Sequence, residues 1–369
     1  MPGEKFTPRR PGRRKDLRMR SRLAILLIFL VPLALFALSA CGGDDSGGSN
    51  TLTLVTHDSF NISEDLLKQF EKDNGATVKV LKKGDAGAMV TSLIFTKKNP
   101  EGDVAFGVDN TFLSRALDAD LFVPYSSPLL TKVPNDLQAD GSNRVTPIDY
   151  GFVNFNYDIA ALKKANLAVP KRLEDLTDAK YKGLVAVENP ATSSPGLAFL
   201  IATVDYFGKD SYLAWWKQMR ENGLVVVDSW ETAYNTNFTL KGGKQSIVLS
   251  YATSPAFEQM FAEPKRDDAP TGNILPPKGA FRQVEYAGVL RGTKNEALAR
   301  KFVDFLLSKA VQEDIPGQMA VYPVNSEAAV PAAFDKFSKV EVAPAKVSAA
   351  EIASNRDKWI ADWTNTVLR

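Results

Sequence analysis

The sequence predicts an α/β fold in which two lobes are joined by long crossover strands. Three observations carry this expectation. Once an N-terminal leader is set aside, about 320 residues remain, more than one hydrophobic core comfortably holds. Apolar residues alternate at strand spacing in short runs, and most runs are followed by a helical pattern, which argues for mostly parallel sheets. Two longer passages, 144–158 and 283–292, are strand-rich and fall where the chain would cross between two such sets. Lobes joined in this way make a clamp with a central cleft that closes by hinge motion.

The elements follow in order. "TLTLVTHD" (51–58) alternates as a strand. Asn61 or Ser63 can cap the next helix, whose Leu66, Leu67 and Phe70 share a face and which Gly75 ends. "ATVKVL" (76–81) and "DVAFGVD" (103–109) are strands, with helices expected over 87–99 and 110–122. After the crossover a second set begins: strand 183–190, helices 196–208 and 212–223, strand 224–229, helix 231–243 and strand 245–252. The passage at 283–292 returns to the first lobe, and the tail from 294 is mainly helical, with Trp359 and Trp363 an i, i+4 pair. One lobe is therefore expected to comprise residues 51–147 and 285–369, and the other residues 148–284.

The leader explains the charge. Residues 1–22 hold nine Lys/Arg and two acids, and 23–40 hold no charge and read as the apolar segment of a secretory signal. "LSAC" (38–41) resembles a bacterial lipobox, which makes 1–40 a lipoprotein signal peptide and Cys41, the sole cysteine, the lipidated first residue of the mature chain. Residues 41–50 read as a flexible tether from that anchor. The 45 basic and 43 acidic side chains of the whole chain give +2; without the nine and two of the leader the balance is 36 against 41, or −5. A mildly acidic chain with no basic stripe is a poor nucleic-acid binder.

Ligands of open α/β sheets sit beyond the strand C-termini. The first lobe places His57, Asp58, Asp85 and Asp109 there, and the crossover adds Asp149 and Tyr150. The second lobe adds Thr192, Ser193 and Ser194, then Trp230 and Tyr234, then Tyr251 and Ser254. This set is rich in aromatics, hydroxyls and carboxylates and poor in Lys and Arg. Ring faces and carboxylates suit an organic cation, while helix N-termini suit an anion such as phosphate. A ligand cationic at one end and phosphorylated at the other would use both. Each residue also has a structural reading. Ser194 before Pro195 is an N-cap followed by Pro at N1, and Asp109 before Asn110 is a cap. The mid-helix pair Trp215-Trp216 reads as packing, and Tyr251 can serve the core.

"THDSF", "GDVAFGVDN", "PIDYGFVNFNYD", "ATSSPGLAFL", "SWETAYN", "IVLSYATSPAF", "QVEYAGV" and "YPVNS", in this order, resemble the thiamine-binding periplasmic proteins of ABC importers. The resemblance runs from about 52 to 369. It implies a type II-like periplasmic-binding-protein fold, capture of thiamine, thiamine monophosphate or thiamine diphosphate, and delivery to the transmembrane subunits of a permease, with no cofactor and no metal. It implies that Trp230, Tyr234 and Tyr251 surround the ligand and that Thr192, Ser193 and Ser194 form a phosphate-binding turn. Asp58, Asp149 and Tyr150 match as well, and "YPVNS" adds Tyr322. His57, Glu64 and Ala320 stand where better-known members carry aromatic residues; His57 can partly replace a stacking ring and Glu64 can supply charge.

Other readings keep the fold but change the ligand to a polyamine or a ferric ion. Adjacent tyrosines, expected for ferric binders, are absent from the sequence, and one His makes a poor transition-metal site. A secreted serine hydrolase would need a G-x-S-x-G elbow, which the sequence lacks, and would rest on His57 as its sole imidazole. A purely structural lipoprotein would show no response to ligand. The expected protein is therefore not an enzyme. It is exported, lipid-anchored at the outer face of the cytoplasmic membrane, and a monomer, since the cleft lies within one chain.

Overall fold

The computed structural model describes residues 50–138 and 141–369. The expected signal peptide, Cys41 and all of the tether except residue 50 lie outside the described residues. Among the described residues, no helix is long and apolar enough to cross a membrane.

The first set of elements is β1 (Thr51–Thr56), α1 (Glu64–Asn74), β2 (Thr77–Lys82), α2 (Ala86–Thr96), β3 (Val104–Asp109) and α3 (Leu113–Asp118). β4 (Thr146–Asp158) and α4 (Ile159–Lys164) lead into β5 (Val185–Glu188), α5 (Ser194–Phe207), α6 (Tyr212–Glu221) and β6 (Val225–Val227). A short α7 (Trp230–Thr232), β7 (Ile247–Tyr251), α8 (Ser254–Met260) and β8 (Thr271–Ile274) precede β9 (Phe281–Val289). The tail holds α9 (Glu296–Leu307), α10 (Lys309–Met319), β10 (Tyr322–Pro323), α11 (Ala332–Phe337) and α12 (Ala349–Val367).

The strands form one sheet in the order β2-β1-β3-β9-β4-β7-β5-β6, with β8 and β10 also paired to β4. Pairing is parallel at β2-β1-β3 and at β7-β5-β6. It is antiparallel wherever the two long strands take part: β9 to β3 and to β4, and β4 to β7. The crossovers thus lie side by side in mid-sheet. The parallel sets on either side are covered by buried helices, as parallel sheets require. α5 is buried along its first eleven residues. Trp215 and Trp216 pack edge-on against Phe199, and Trp363 packs edge-on against Trp216. The tryptophan pair is core, as its mid-helix position suggests.

Four local expectations need correction. The helix over 110–122 shortens to Leu113–Asp118, because the Asp109 carboxylate accepts the Phe112 N–H and holds the chain in a turn, while Phe122 bridges to Leu290. The helix over 231–243 does not run through. α7 gives way to a π-helical turn over Ala233–Asn237, and Gly242 at φ 89° ends a last single turn. The cap of α5 is Ser193, not Ser194: Ser193 is extended and its hydroxyl accepts the Gly196 N–H, while Ser194 is already the first helical residue. Ser63 rather than Asn61 precedes α1, but its hydroxyl donates to Asp314 and caps nothing.

Candidate functional site

Adjacent strands bring three carboxylates into one row. Asp109 of β3 lies opposite Glu285 of β9, and Glu285 lies opposite Asp149 of β4. All three are buried. His57, just past β1, closes one end with Nε2 3.4 Å from Glu285 Oε2, an ion-pair distance without hydrogen-bond alignment. Its ring fits because residue 107 is glycine: a Cβ there would stand 2.1 Å from His57 Cδ2. Gln283, two residues before Glu285 and so on the same face, donates to Glu285 Oε1 and to the Ser194 hydroxyl, each at 3.2 Å. The Tyr251 hydroxyl donates to Gln283 Oε1 at 2.8 Å.

Burial pushes the Asp109 carboxyl up to about 7, against the Ser194 and Thr111 hydroxyls that donate to it, and the Glu285 charge adds to the rise. Burial raises Asp149 well above the usual carboxylate range, and neighbouring Glu285 raises it further. Neither Asp149 oxygen has a hydrogen-bond partner among the described residues. His57 feels the opposite balance: burial disfavours its cation most strongly, but Glu285 and Asp85 together outweigh burial and raise it. At the end of β5, Glu188 is raised by burial and then by Asp85. Of this cluster, His57, Asp85 and Glu285 border the inner of two pockets, whereas Asp109, Asp149 and Glu188 are buried beside them and border neither.

Asp85 ties the first parallel set to the second. It caps α2, accepting the Ala86 N–H at 2.6 Å. The same carboxylate accepts the Ser194 N–H at 3.3 Å and the Trp230 N–H at 3.0 Å. Close approach here depends on Gly87, where a Cβ would stand 2.8 Å from the Ala191 carbonyl oxygen. The Ser194 N–H at the start of α5 therefore already faces a carboxylate supplied by the chain itself, and the Gly196 N–H is taken by the Ser193 hydroxyl. Burial raises Asp85, and the N–H donors partly oppose this.

Aromatic rings form the wall. Trp230 stacks on Tyr234 with centroids 5.1 Å apart and meets the Tyr251 ring at 6.3 Å. Its indole N–H donates to the Ser250 hydroxyl at 2.8 Å, and Ser250 pairs with Ser254 at 3.0 Å. Two pockets meet at this wall. The inner one, about 40 Å³, is bordered by His57, Asp85, Ser194, Trp230, Tyr251 and Glu285. The outer one, about 330 Å³, is bordered by Asp58, Trp230, Tyr234, Ser254, Glu258 and Ala320 among others. Organic ligands usually occupy about 300–1,000 Å³. The outer pocket reaches that size, and the inner one admits only the tip of a ligand. A wider depression of about 730 Å³ lies beside Phe152, Arg282 and Lys346. It lacks the acids and stacked rings, so size alone does not make it the site.

The remaining expected residues divide. Asp58 borders the outer pocket and braces its loop by accepting the Gly84 N–H. Thr192 and Ser193 border neither pocket: the Thr192 hydroxyl donates to the Asp228 carbonyl, and Ser193 is fully buried as the cap. Tyr150 and Tyr322 also border neither; they stack on each other at 5.2 Å. Tyr150 follows Asp149 on a strand and so points to the other face. Glu64 pairs with Lys68 on the exposed face of α1 and borders neither pocket. Glu285 and Gln283 were not expected. Their signal was present in "QVEYAGV", where polar residues alternate on an otherwise apolar strand. Among the described residues, no group of three or more His, Cys, Asp or Glu side chains is spaced to hold a metal ion.

A two-lobed α/β clamp with an acidic, aromatic cleft defines a solute-binding protein. The chain belongs to the bacterial extracellular solute-binding protein family, whose model matches residues 99–345. It is 32% identical over 322 residues to the thiamine-binding periplasmic protein of Escherichia coli K12, covering 86% of this chain and 94% of that one. A solved periplasmic thiamin binding protein superposes with a TM-score of 0.75 at 30% identity, covering 86% of this chain and 96% of the other. Iron-bound HitA from Pseudomonas aeruginosa superposes at 0.69 with 22% identity, covering 85% and 99%, and shares the fold alone.

Proposed function

We propose that this protein captures thiamine, or a thiamine phosphate, outside the cytoplasm and delivers it to the membrane subunits of an ABC importer. The observation that carries the reading is the Trp230–Tyr234–Tyr251 wall beside the buried row Asp109–Glu285–Asp149. A permanently cationic heteroaromatic ring is matched by ring faces and by uncompensated carboxylate. The thiamine-binding relatives support the same ligand. Lobe one takes residues 51–147 and 285–369, lobe two takes 148–284, and the chain acts as a monomer held to the membrane through Cys41. A phosphate at the start of α5 must displace or share the place of the Asp85 carboxylate, whereas unphosphorylated thiamine leaves that contact intact.

Titration of the purified protein with thiamine, its mono- and diphosphate, spermidine and ferric citrate tests this, with Trp230 as the reporter of fluorescence. Thiamine compounds are expected to change the emission at substoichiometric concentration. A response confined to spermidine or ferric citrate would transfer the protein to another ligand class.

A further inference from the structure

A neutral ligand would not require what the central strands present. Asp109, Glu285 and Asp149 are direct cross-strand partners on β3, β9 and β4, and like charges placed opposite one another destabilise a sheet. They are 0%, 8% and 1% exposed, so water does not relieve the repulsion. The groups that face them offer little positive charge. His57 lies against Glu285, Asp85 and Lys82 lie near His57, the Tyr251 hydroxyl faces the row, and Glu188 adds a further acid behind Asp85. Lys82 is exposed and donates to the Asp58 carbonyl. The inner pocket opens directly onto Glu285 and His57.

We propose, on the cation reading above, that the row with His57 is the element that reads ligand charge, and that an organic cation entering the inner pocket expels a proton from it. In the empty cleft the cluster keeps protons: one on Asp149, beside Glu285, and one on His57. The arriving positive charge takes the place of one proton, which passes to bulk water, and the buried charge of the cluster is unchanged. No covalent bond forms or breaks in the ligand. Affinity for the cation then rises with pH across the range in which the cluster still holds that proton. Asp109, pushed up to about 7, puts that range around neutrality, and Asp149 and His57 are raised in the same direction. A neutral ligand of the same shape gains nothing from the exchange, so the row selects charge as well as shape.

Calorimetric titration of the purified protein with thiamine at about pH 7, in phosphate and again in Tris, measures the linked protons through the different ionisation enthalpies of the buffers. The expected result is release of about one proton per thiamine bound, cut to less than half in Asp149→Asn, with an isotherm of unchanged stoichiometry showing that the variant is folded. Glu285→Gln, which faces the pocket, is expected to lose the release and to bind thiamine at least tenfold more weakly. An observed enthalpy identical in both buffers overturns the proposal. So does a release that persists undiminished in both variants. Absence of any thiamine isotherm for the unsubstituted protein, a different result, overturns the thiamine reading and this proposal with it.

Discussion

Trp230 borders both pockets, together with Ser59 and Met319. It is held from behind by stacking on Tyr234 and at its edge by the bond to Ser250, so its face is fixed before any ligand arrives. Trp230→Ala should therefore weaken thiamine binding by about tenfold or more, the worth of a desolvated cation–π face. Trp230→Phe keeps a face but loses the Ser250 anchor and should cost less; equal affinities for Ala, Phe and the unsubstituted protein would remove this wall from the site. Asp85→Asn tests the other end of the ligand. Taking a negative charge away from the start of α5 should lower the ratio of thiamine monophosphate Kd to thiamine Kd, on the order of tenfold for a near contact. A ratio unchanged in the variant would place the phosphate elsewhere. At this scale the sequence was informative where the argument was local. Strand ends gave His57, Asp85, Asp109 and Trp230. Side-chain parity, which turns Tyr150 away from Asp149 on the same strand, was equally readable.

At the scale of elements, β3 shows how the fold makes room for its site. Gly107 has φ 99° and a Cβ there would meet His57 at 2.1 Å. Gly75, which ends α1 at φ 59°, has nothing within 4 Å of its missing Cβ. Alanine at Gly75 pays for backbone strain alone, about 1 kcal/mol. Alanine at Gly107 adds a steric conflict with a buried ring and should destabilise by roughly twice that or more. Thermal melting of the two variants checks this; an equal fall in Tm would mean that the His57 ring moves aside at no cost. Element types were legible wherever one face is buried, because alternation and the 3.6-residue period record that burial. The stretch 231–243 was not, since its helical pattern ends in Gly242-Gly243 and the buried Phe238 pins the chain beside Gln245. Nor was the row across β3, β9 and β4, because register between strands 176 and 136 residues apart in sequence, Asp109 to Glu285 and Asp149 to Glu285, leaves no local trace.

For the whole molecule, the buried acids set how stability depends on pH. Asp109, Asp149, Asp85 and Glu188 are all raised by burial, and His57 is raised by its acidic neighbours. A carboxyl raised in the folded state binds its proton more tightly there than in the unfolded chain. Between the two pKa values the native state holds the extra proton, so stability falls as pH rises. For Asp109 that window runs from its ordinary value of 3.8 to about 7. The raised His57 acts in the same direction: its contribution is complete below 6.5 and is lost as pH climbs through the folded value. The lowered groups Glu64, Asp175, Asp178 and Asp268 act oppositely, but Asp175 is only half-buried, the others are exposed, and all are screened by solvent. The empty protein should therefore melt at a lower temperature at pH 8 than at pH 5, by on the order of 5 °C for a few kcal/mol in a domain of this size. Saturating thiamine should narrow the gap, because the cation supplies at pH 8 the positive charge that protons supply at pH 5 and adds its binding free energy to the native state alone. Calorimetric scans at the two pH values, with and without thiamine, measure both effects. A Tm for the empty protein that is flat or rising from pH 5 to pH 8 would mean that the carboxylate row is already compensated, and a cleft so compensated would have no reason to prefer a cation.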